Sequence, residues 1–356
     1  MQERPPRRAG SPFVARGLAV VTIVCVVAAA VYYVARTGPF QPEVEASPAQ
    51  PPWAAEVIEE AFSVAHAASD GERWVLADPR AGRVHVLDAD AHHLRTFGRT
   101  GVGPGELGNP ERVAIRGGRI WVADRVRPEV LMFDSSGDFL AALRPAPGCE
   151  KGNVVALAAS VEGLYLLRVC SELPRRIRYR LERAPGPGES VTLVLDAVAH
   201  VVEVSAGGAA PMHFPALVAW HGSVLVGEGS QGCFTLLHTR SGEREADCFT
   251  GVARSPLPAA ERARLSARWG GRVAVPDSLP LFRDLAVVAG ALALHRPLST
   301  DSSAWIELEP APPFATTGRQ WGPLGSGSFG GPMGILETFD GVEGTILRVL
   351  QHPRDP

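Results

Sequence analysis

The sequence predicts an all-β fold, a six-bladed β-propeller preceded by a single N-terminal transmembrane helix. Three observations predict it. Two stretches match position for position at an offset of 46, short apolar segments alternate with Gly, Pro and Asp turns, and one unbroken apolar run lies near the N-terminus. The 356 residues are 46% hydrophobic and 21% charged, enough apolar content for a packed core and too much for bulk disorder. The formal net charge of −3 gives no general pull toward nucleic acid.

The N-terminal elements come first. Residues 1–16 carry Arg4, Arg7, Arg8 and Arg16, and residues 17–35 are apolar throughout. A run of that length spans the hydrocarbon core of a bilayer as a helix. The excess of arginine before it predicts a cytoplasmic N-terminus and a periplasmic or extracellular remainder. Ala28, Ala29 and Ala30 offer an alternative, a cleaved signal peptide. The apolar run continues past them through Val31, Tyr32, Tyr33 and Val34, which favours a retained signal-anchor. Cys25 reads as one more apolar residue of that helix. Residues 36–52, with prolines at 39, 42, 48, 51 and 52, form a stiff linker that holds the following domain, 53–356, off the membrane.

The repeat opens that domain. Residues 73–78 read RWVLAD and residues 119–124 read RIWVAD; residues 83–88 read RVHVLD and residues 129–134 read EVLMFD. Asp78 and Asp124 lie 46 apart, as do Asp88 and Asp134. In the second unit, strands are expected at 112–115, 120–123, 130–133 and 139–143, with turns at Gly117-Gly118 and Ser135-Ser136-Gly137. Four short strands in 46 residues is the size of one propeller blade.

The segment Phe97-Gly98-Arg99-Thr100-Gly101-Val102-Gly103-Pro104-Gly105-Glu106-Leu107, then Pro110, Val113-Ala114, 120–124 and 133–137, resembles the NHL-type repeat of bacterial six-bladed β-propeller proteins. The resemblance covers about residues 73–144. It implies a closed ring of blades and no particular activity.

Less regular units follow. Strands are expected at 154–160, 164–170, 176–181 and 191–195, and then at 217–220, 224–227, 233–238 and 244–249. A helical insertion is expected near 256–269, with Ser255 as its cap and Pro258 in its first turn. A fifth unit holds 285–288, 292–295 and 305–308. The sixth holds 335–339 and 346–350, the latter read as its second strand. Residues 310–331 are too rich in Gly and Pro for any strand to be placed. The last unit is short of strands, so 55–62 is expected to supply an edge and close the ring.

Four cysteines outside the membrane run suggest disulfides in an oxidising compartment. A hairpin turning around residues 240–243 brings Cys233 opposite Cys248. One turning at Val161-Glu162 brings Cys149 near Cys170 if a bulge or an irregular approach by Gly148-Cys149 takes up the mismatch.

Sites of chemistry are sparse. The sequence contains no H-E-x-x-H, no G-x-x-x-x-G-K-[ST] and no G-x-S-x-G. Asp78 and Asp124 follow second strands, where a carboxylate caps turn amides. His66, His221 and His295 fall in or near inner strands of three units, and three channel histidines could hold zinc. The flanking residues of zinc-dependent propeller lyases are absent. Lactonase-type propellers hold a divalent cation with Glu, Asn and Asp, and only Asn109 and Asn153 are present here. No cofactor is expected. Loops after second strands carry Arg80, Arg125, Arg127, Arg175, Arg176 and Arg296, which could form a positive rim for an anionic glycan or an acidic protein. The expected function is a non-catalytic ligand- or protein-binding module. The alternative is a metal-dependent hydrolase or lyase with its site in the central channel.

Overall fold

The computed structural model describes residues 55–351 except 61–62, 174–175, 185, 187–189, 200–214, 250, 253, 269–274, 276, 300–301, 313, 326 and 341–344. The apolar run 17–35 and the linker 36–52 lie outside the described residues. Among the described residues no helix is long and apolar enough to cross a membrane.

The domain is a β-propeller, and its described strands form six four-stranded antiparallel sheets. Strand β1 (Ala55–Glu60) belongs to the last sheet. Sheet one is β2 (His66–Ser69), β3 (Trp74–Asp78), β4 (Arg83–Leu87) and β5 (His93–Phe97). Sheet two is β6 (Pro110–Arg116), β7 (Arg119–Asp124), β8 (Val130–Asp134) and β9 (Phe139–Leu143). Sheet three is β10 (Asn153–Ser160), β11 (Gly163–Leu173), β12 (Arg176–Ala184) and β13 (Thr192–Ala199). Sheet four is β14 (Ala216–Trp220), β15 (Ser223–Glu228), β16 (Cys233–His238) and β17 (Arg244–Cys248). Helix α1 (Ala259–Arg268) follows. Sheet five is β18 (Asp284–Val288), β19 (Ala291–Pro297), β20 (Ser302–Leu308) and β21 (Thr316–Gly325). Sheet six is β22 (Gly327–Gly331), β23 (Gly334–Asp340), β24 (Thr345–Gln351) and, on its edge, β1.

Central strands are apolar on both faces because both faces are covered. In β3 every residue is buried. Val75 and Ala77 join a cluster with Val113, Ile120 and Val122 of sheet two, whereas Trp74 and Leu76 share one with Leu336 of sheet six. In β7, Trp121 and Ala123 face Leu157 and Leu164 of sheet three. Tyr165 and Leu167 meet Leu217 and Val224 of sheet four, and Leu225 meets Leu285 and Leu292 of sheet five. Trp305 and Ile335 join sheets five and six. The six interfaces form a closed circuit.

The repeat has a hydrogen-bonding basis. Asp88 Oδ1 accepts from the amides of Asp90 (2.9 Å) and His92 (2.8 Å), and Asp134 Oδ1 from those of Ser136 (2.8 Å) and Asp138 (2.9 Å). The turn places Ala91 at φ 64° and Gly137 at φ 89°, equivalent positions one repeat apart. Asp78 Oδ1 accepts from the amides of Arg80 and Ala81, both at 3.0 Å, and Asp124 Oδ1 from that of Val126 at 3.0 Å. The two carboxylates cap turns, as read from the sequence.

Three sequence expectations are corrected. Strand β24 is the third of its sheet, not the second, with β1 as the fourth. The first is the glycine-rich β22, inside the stretch where no strand was placed, and β21 lies in the same stretch. A Cβ on Gly330 would stand 2.8 Å from Ala286 Cβ and Val288 Cγ2 of sheet five. The glycine therefore serves close sheet packing rather than a turn. Finally, Ser255 does not cap α1; its hydroxyl donates to Pro297 O at 3.0 Å and ties the insertion to the end of β19.

Both disulfides join the expected partners. Cys233 and Cys248 are direct register partners in β16 and β17. In sheet three Cys149 lies ahead of β10, in a turn closed by the Gly152 amide donating to Cys149 O at 3.0 Å, and this irregular approach brings it to Cys170. Beside that second bridge lies a fully buried ion pair, Arg168 Nε to Glu182 Oε2 at 3.1 Å. Arg168 Nη1 also donates to Pro128 O of the β7–β8 loop (2.7 Å) and to Gly152 O (2.6 Å).

Gly330→Val is expected to cost about 1–3 kcal/mol through overpacking between sheets five and six, read as a lower urea midpoint. An unchanged midpoint would contradict the packing described. Removing the Cys233–Cys248 bridge, which spans 15 residues, should cost about 3 kcal/mol. Peptide mapping without reductant should return both bridges as paired here.

Candidate functional site

Six inner strands, β2, β6, β10, β14, β18 and β22, surround a central cavity of about 1020 Å³. They run alongside one another, start beside start. The Val113 amide donates to His66 Nδ1 (3.4 Å), Arg112 Nε donates to Val155 O (2.8 Å), and at the far ends Gly331 approaches Ser69. The middle of the wall is mostly small residues, among them Ala68, Ala114, Ala158, Ala219 and Ala286, which keep the channel open.

Polar groups gather where the strands begin: His66, Arg112, Arg283, Asp284 and Ser328, with His295 opposite Asp284 in the β18–β19 register. The His66 ring accepts at Nδ1, so its proton sits on Nε2. Burial, reinforced by Arg112, lowers its pKa to about 3 and keeps it neutral. His295 is likewise lowered to about 3 by burial and by Arg283. It stacks on Trp305 with ring centroids 4.8 Å apart and lies 3.0 Å from Ser328 Oγ through Nε2. Ser328 in turn lies 3.3 Å from Ser303 Oγ. Among the described residues no carboxylate orients His295, so this serine–histidine contact lacks the third member of a nucleophilic triad.

Asp284 differs from the rest. Burial raises its pKa to about 6, against the opposing effects of the Leu285 amide and the Arg112 guanidinium. Arg112 and Asp284 sit on β6 and β18, which are three sheets apart in either direction around the ring. Among the described residues no ion pair joins them.

The histidines do not converge as the sequence suggested. His66 and His295 lie at the same end of the channel. His221 is in the exposed turn at the other end of β14, at φ 46° and against Trp220. Among the described residues no three potential ligands cluster for a metal. The candidate rim arginines differ in their settings. Arg80 is exposed in the β3–β4 turn. Arg125 pairs with Glu111 at 3.2 Å. Arg127 donates to Gly101 O (3.3 Å) and Gly103 O (3.5 Å), bracing the glycine-rich connection whose Gly103 amide is held by Glu106. Arg176 opens β12 and Arg296 lies within β19, so neither belongs to a loop after a second strand. Arg175 lies outside the described residues.

Sequence reasoning missed Arg112, Asp284 and Ser328. The available signal was a charged or polar residue at the start of an otherwise apolar inner strand.

No family model and no curated protein sequence matches the chain. Among solved structures, a member of the DUF4221 family from Bacteroides vulgatus matches with TM-score 0.46 and 8% identity, covering 83% of this chain and 98% of that one. A protein of unknown function from Bacteroides thetaiotaomicron matches with TM-score 0.45 and 13% identity, covering 84% and 76%. The β-propeller domain of Cps50 (Swd1) from Myceliophteria thermophila matches with TM-score 0.43 and 12% identity, covering 83% and 98%. The functional reading rests on this chain's own residues.

The Asp284 carboxyl ionises near 3.8 in the unfolded chain and near 6 in the folded one. Its contribution to stability is complete below the first value and is lost as the pH rises through the second. Asp284→Asn is therefore expected to be more stable than the parent at pH 7.5, by on the order of 3 kcal/mol, and by less than about 1 kcal/mol at pH 4. Urea titrations at the two pH values check this. An equal advantage at both would show that the carboxyl is not held above its ordinary range.

Proposed function

We propose that this chain is a membrane-anchored extracytoplasmic propeller that acts as a non-catalytic binding module, with its ligand site at the His66–Arg112–Asp284 end of the channel. One observation carries the reading. A carboxyl, Asp284, and a guanidinium, Arg112, line opposite walls of the channel, and among the described residues no ion pair joins them. Fixed, unpaired polar groups in a concave site are the usual mark of ligand binding.

The anchor and compartment rest on sequence and chemistry. The arginine-flanked apolar run 17–35 supports retention by the membrane with the propeller outside. Two disulfides suit an oxidising compartment. The 46-residue repeat supports an NHL-type relationship for the first two sheets. Loops after second strands lie at the same end as the polar channel groups, so an acidic partner or anionic glycan docking there would meet the exposed Arg80 and Arg125.

Two experiments test this. Protease applied to intact spheroplasts should digest the propeller, and protection would reverse the topology. Thermal-shift screening of the purified full chain against a library of small polar metabolites should give hits that vanish in an Arg112→Leu/Asp284→Leu double variant. Hits that survive in that variant, or a library without hits, would overturn the channel site. Metal bound stoichiometrically at the channel would favour the hydrolase or lyase alternative instead.

A further inference from the structure

Resting on the reading of the channel as a ligand site, we infer that its ligand is a small zwitterion, an amino acid or short peptide, whose carboxylate meets Arg112 and whose ammonium meets Asp284.

Arg112 uses Nε on Val155 O and Nη1 on Glu111 O, at 2.8 and 3.1 Å, and among the described residues Nη2 has no partner and remains for a ligand. Asp284 uses Oδ1 on the amide of Leu285 at 2.9 Å, and among the described residues Oδ2 has no partner and remains. Both line the same cavity and Arg112 favours the ionised form of Asp284, yet among the described residues no ion pair joins them. Their strands face each other across the ring, so one molecule placed between them can satisfy both.

Charge selects the ligand class. A simple anion would satisfy Arg112 and face an ionised Asp284 unpaired, and a simple cation would meet the reverse. Leaving a part-buried charge without a partner is costly, so a ligand of both signs satisfies Arg112 and Asp284 together where a single charge cannot. His66, neutral with Nε2–H free to donate, adds a hydrogen bond without changing that balance. The small wall residues Ala158 and Ala286 leave room for an apolar body. The cavity, about 1020 Å³, is large for a single amino acid and accommodates a short peptide.

Isothermal calorimetry on the full chain in detergent tests this, with leucine and alanyl-leucine as zwitterions, N-acetyl-leucine lacking the ammonium, leucinamide lacking the carboxylate, and inorganic phosphate. At least one zwitterion is expected to bind, with each single-charge analogue weaker by about tenfold or more. In Asp284→Asn the gap between leucine and N-acetyl-leucine should close to within about threefold, and in Arg112→Gln the gap between leucine and leucinamide should close likewise. This crossed pattern is one that a general loss of folding cannot mimic. N-acetyl-leucine or phosphate binding as well as leucine in the parent would overturn the inference and leave an anion site in the channel. No binding by any probe would also overturn it. The channel reading would then stand or fall separately, on whether the metabolite screen yields hits abolished by the double variant.

Discussion

Everything in this domain depends on a closed circuit of apolar interfaces between neighbouring sheets. Each sheet is apolar on both faces, so none can stand alone in water. Trp74, Leu76, Val75 and Ala77 of one short strand serve two different interfaces, and the same division recurs in β7. A circuit of this kind is complete only when the last sheet meets the first. That joint is made twice: by the packing of Leu336 with Trp74, and by β1, drawn from the start of the domain, which pairs residue by residue with β24. The pairing covers a strand edge that would otherwise invite association with another chain.

The channel follows from that closure. Bringing six inner strands into one small ring places their first residues near one another, although they are far apart in sequence. Small side chains along the wall prevent the ring from filling its own centre. The ring also explains why Asp284 can be held where ionisation is unfavourable: the apolar interfaces on either side supply stability that one carboxyl can draw down.

Sheet three departs most from the regular repeat, and it is held differently. A guanidinium with no exposure, Arg168, reaches the carbonyl of Pro128 in sheet two's loop and binds Glu182, and Arg180 reaches Pro147 O at 2.7 Å. Burial raises the Glu182 pKa above the ordinary carboxylate range, against the opposing pull of Arg168. The Cys149–Cys170 bridge fastens the irregular entry to the same sheet. Covalent and ionic ties thus appear where the apolar repeat is weakest.

Local chemistry was enough to read much of this from the sequence. The strands of the first two sheets, the turn-capping roles of Asp78 and Asp124, the span of α1, the two disulfides and the edge strand at 55–60 all follow from period-two patterning, turn residues and hairpin register, each of which acts over a few neighbouring residues. What local chemistry could not supply was decided by the tertiary structure. Gly330 lies in a stretch where no strand could be placed from sequence and is nonetheless a strand residue, because the neighbouring sheet leaves no space for a Cβ. His221 reads as a channel residue and sits in an exposed turn at the other end, because its side is set by where β14 stops. Arg127, grouped with the other loop arginines by sequence, is spent on the carbonyls of Gly101 and Gly103, whereas Arg125 stays exposed beside Glu111. Arg112 and Asp284 carry no shared signal in the sequence at all; they face each other only because closure of the ring sets β6 and β18 on opposite walls of one channel.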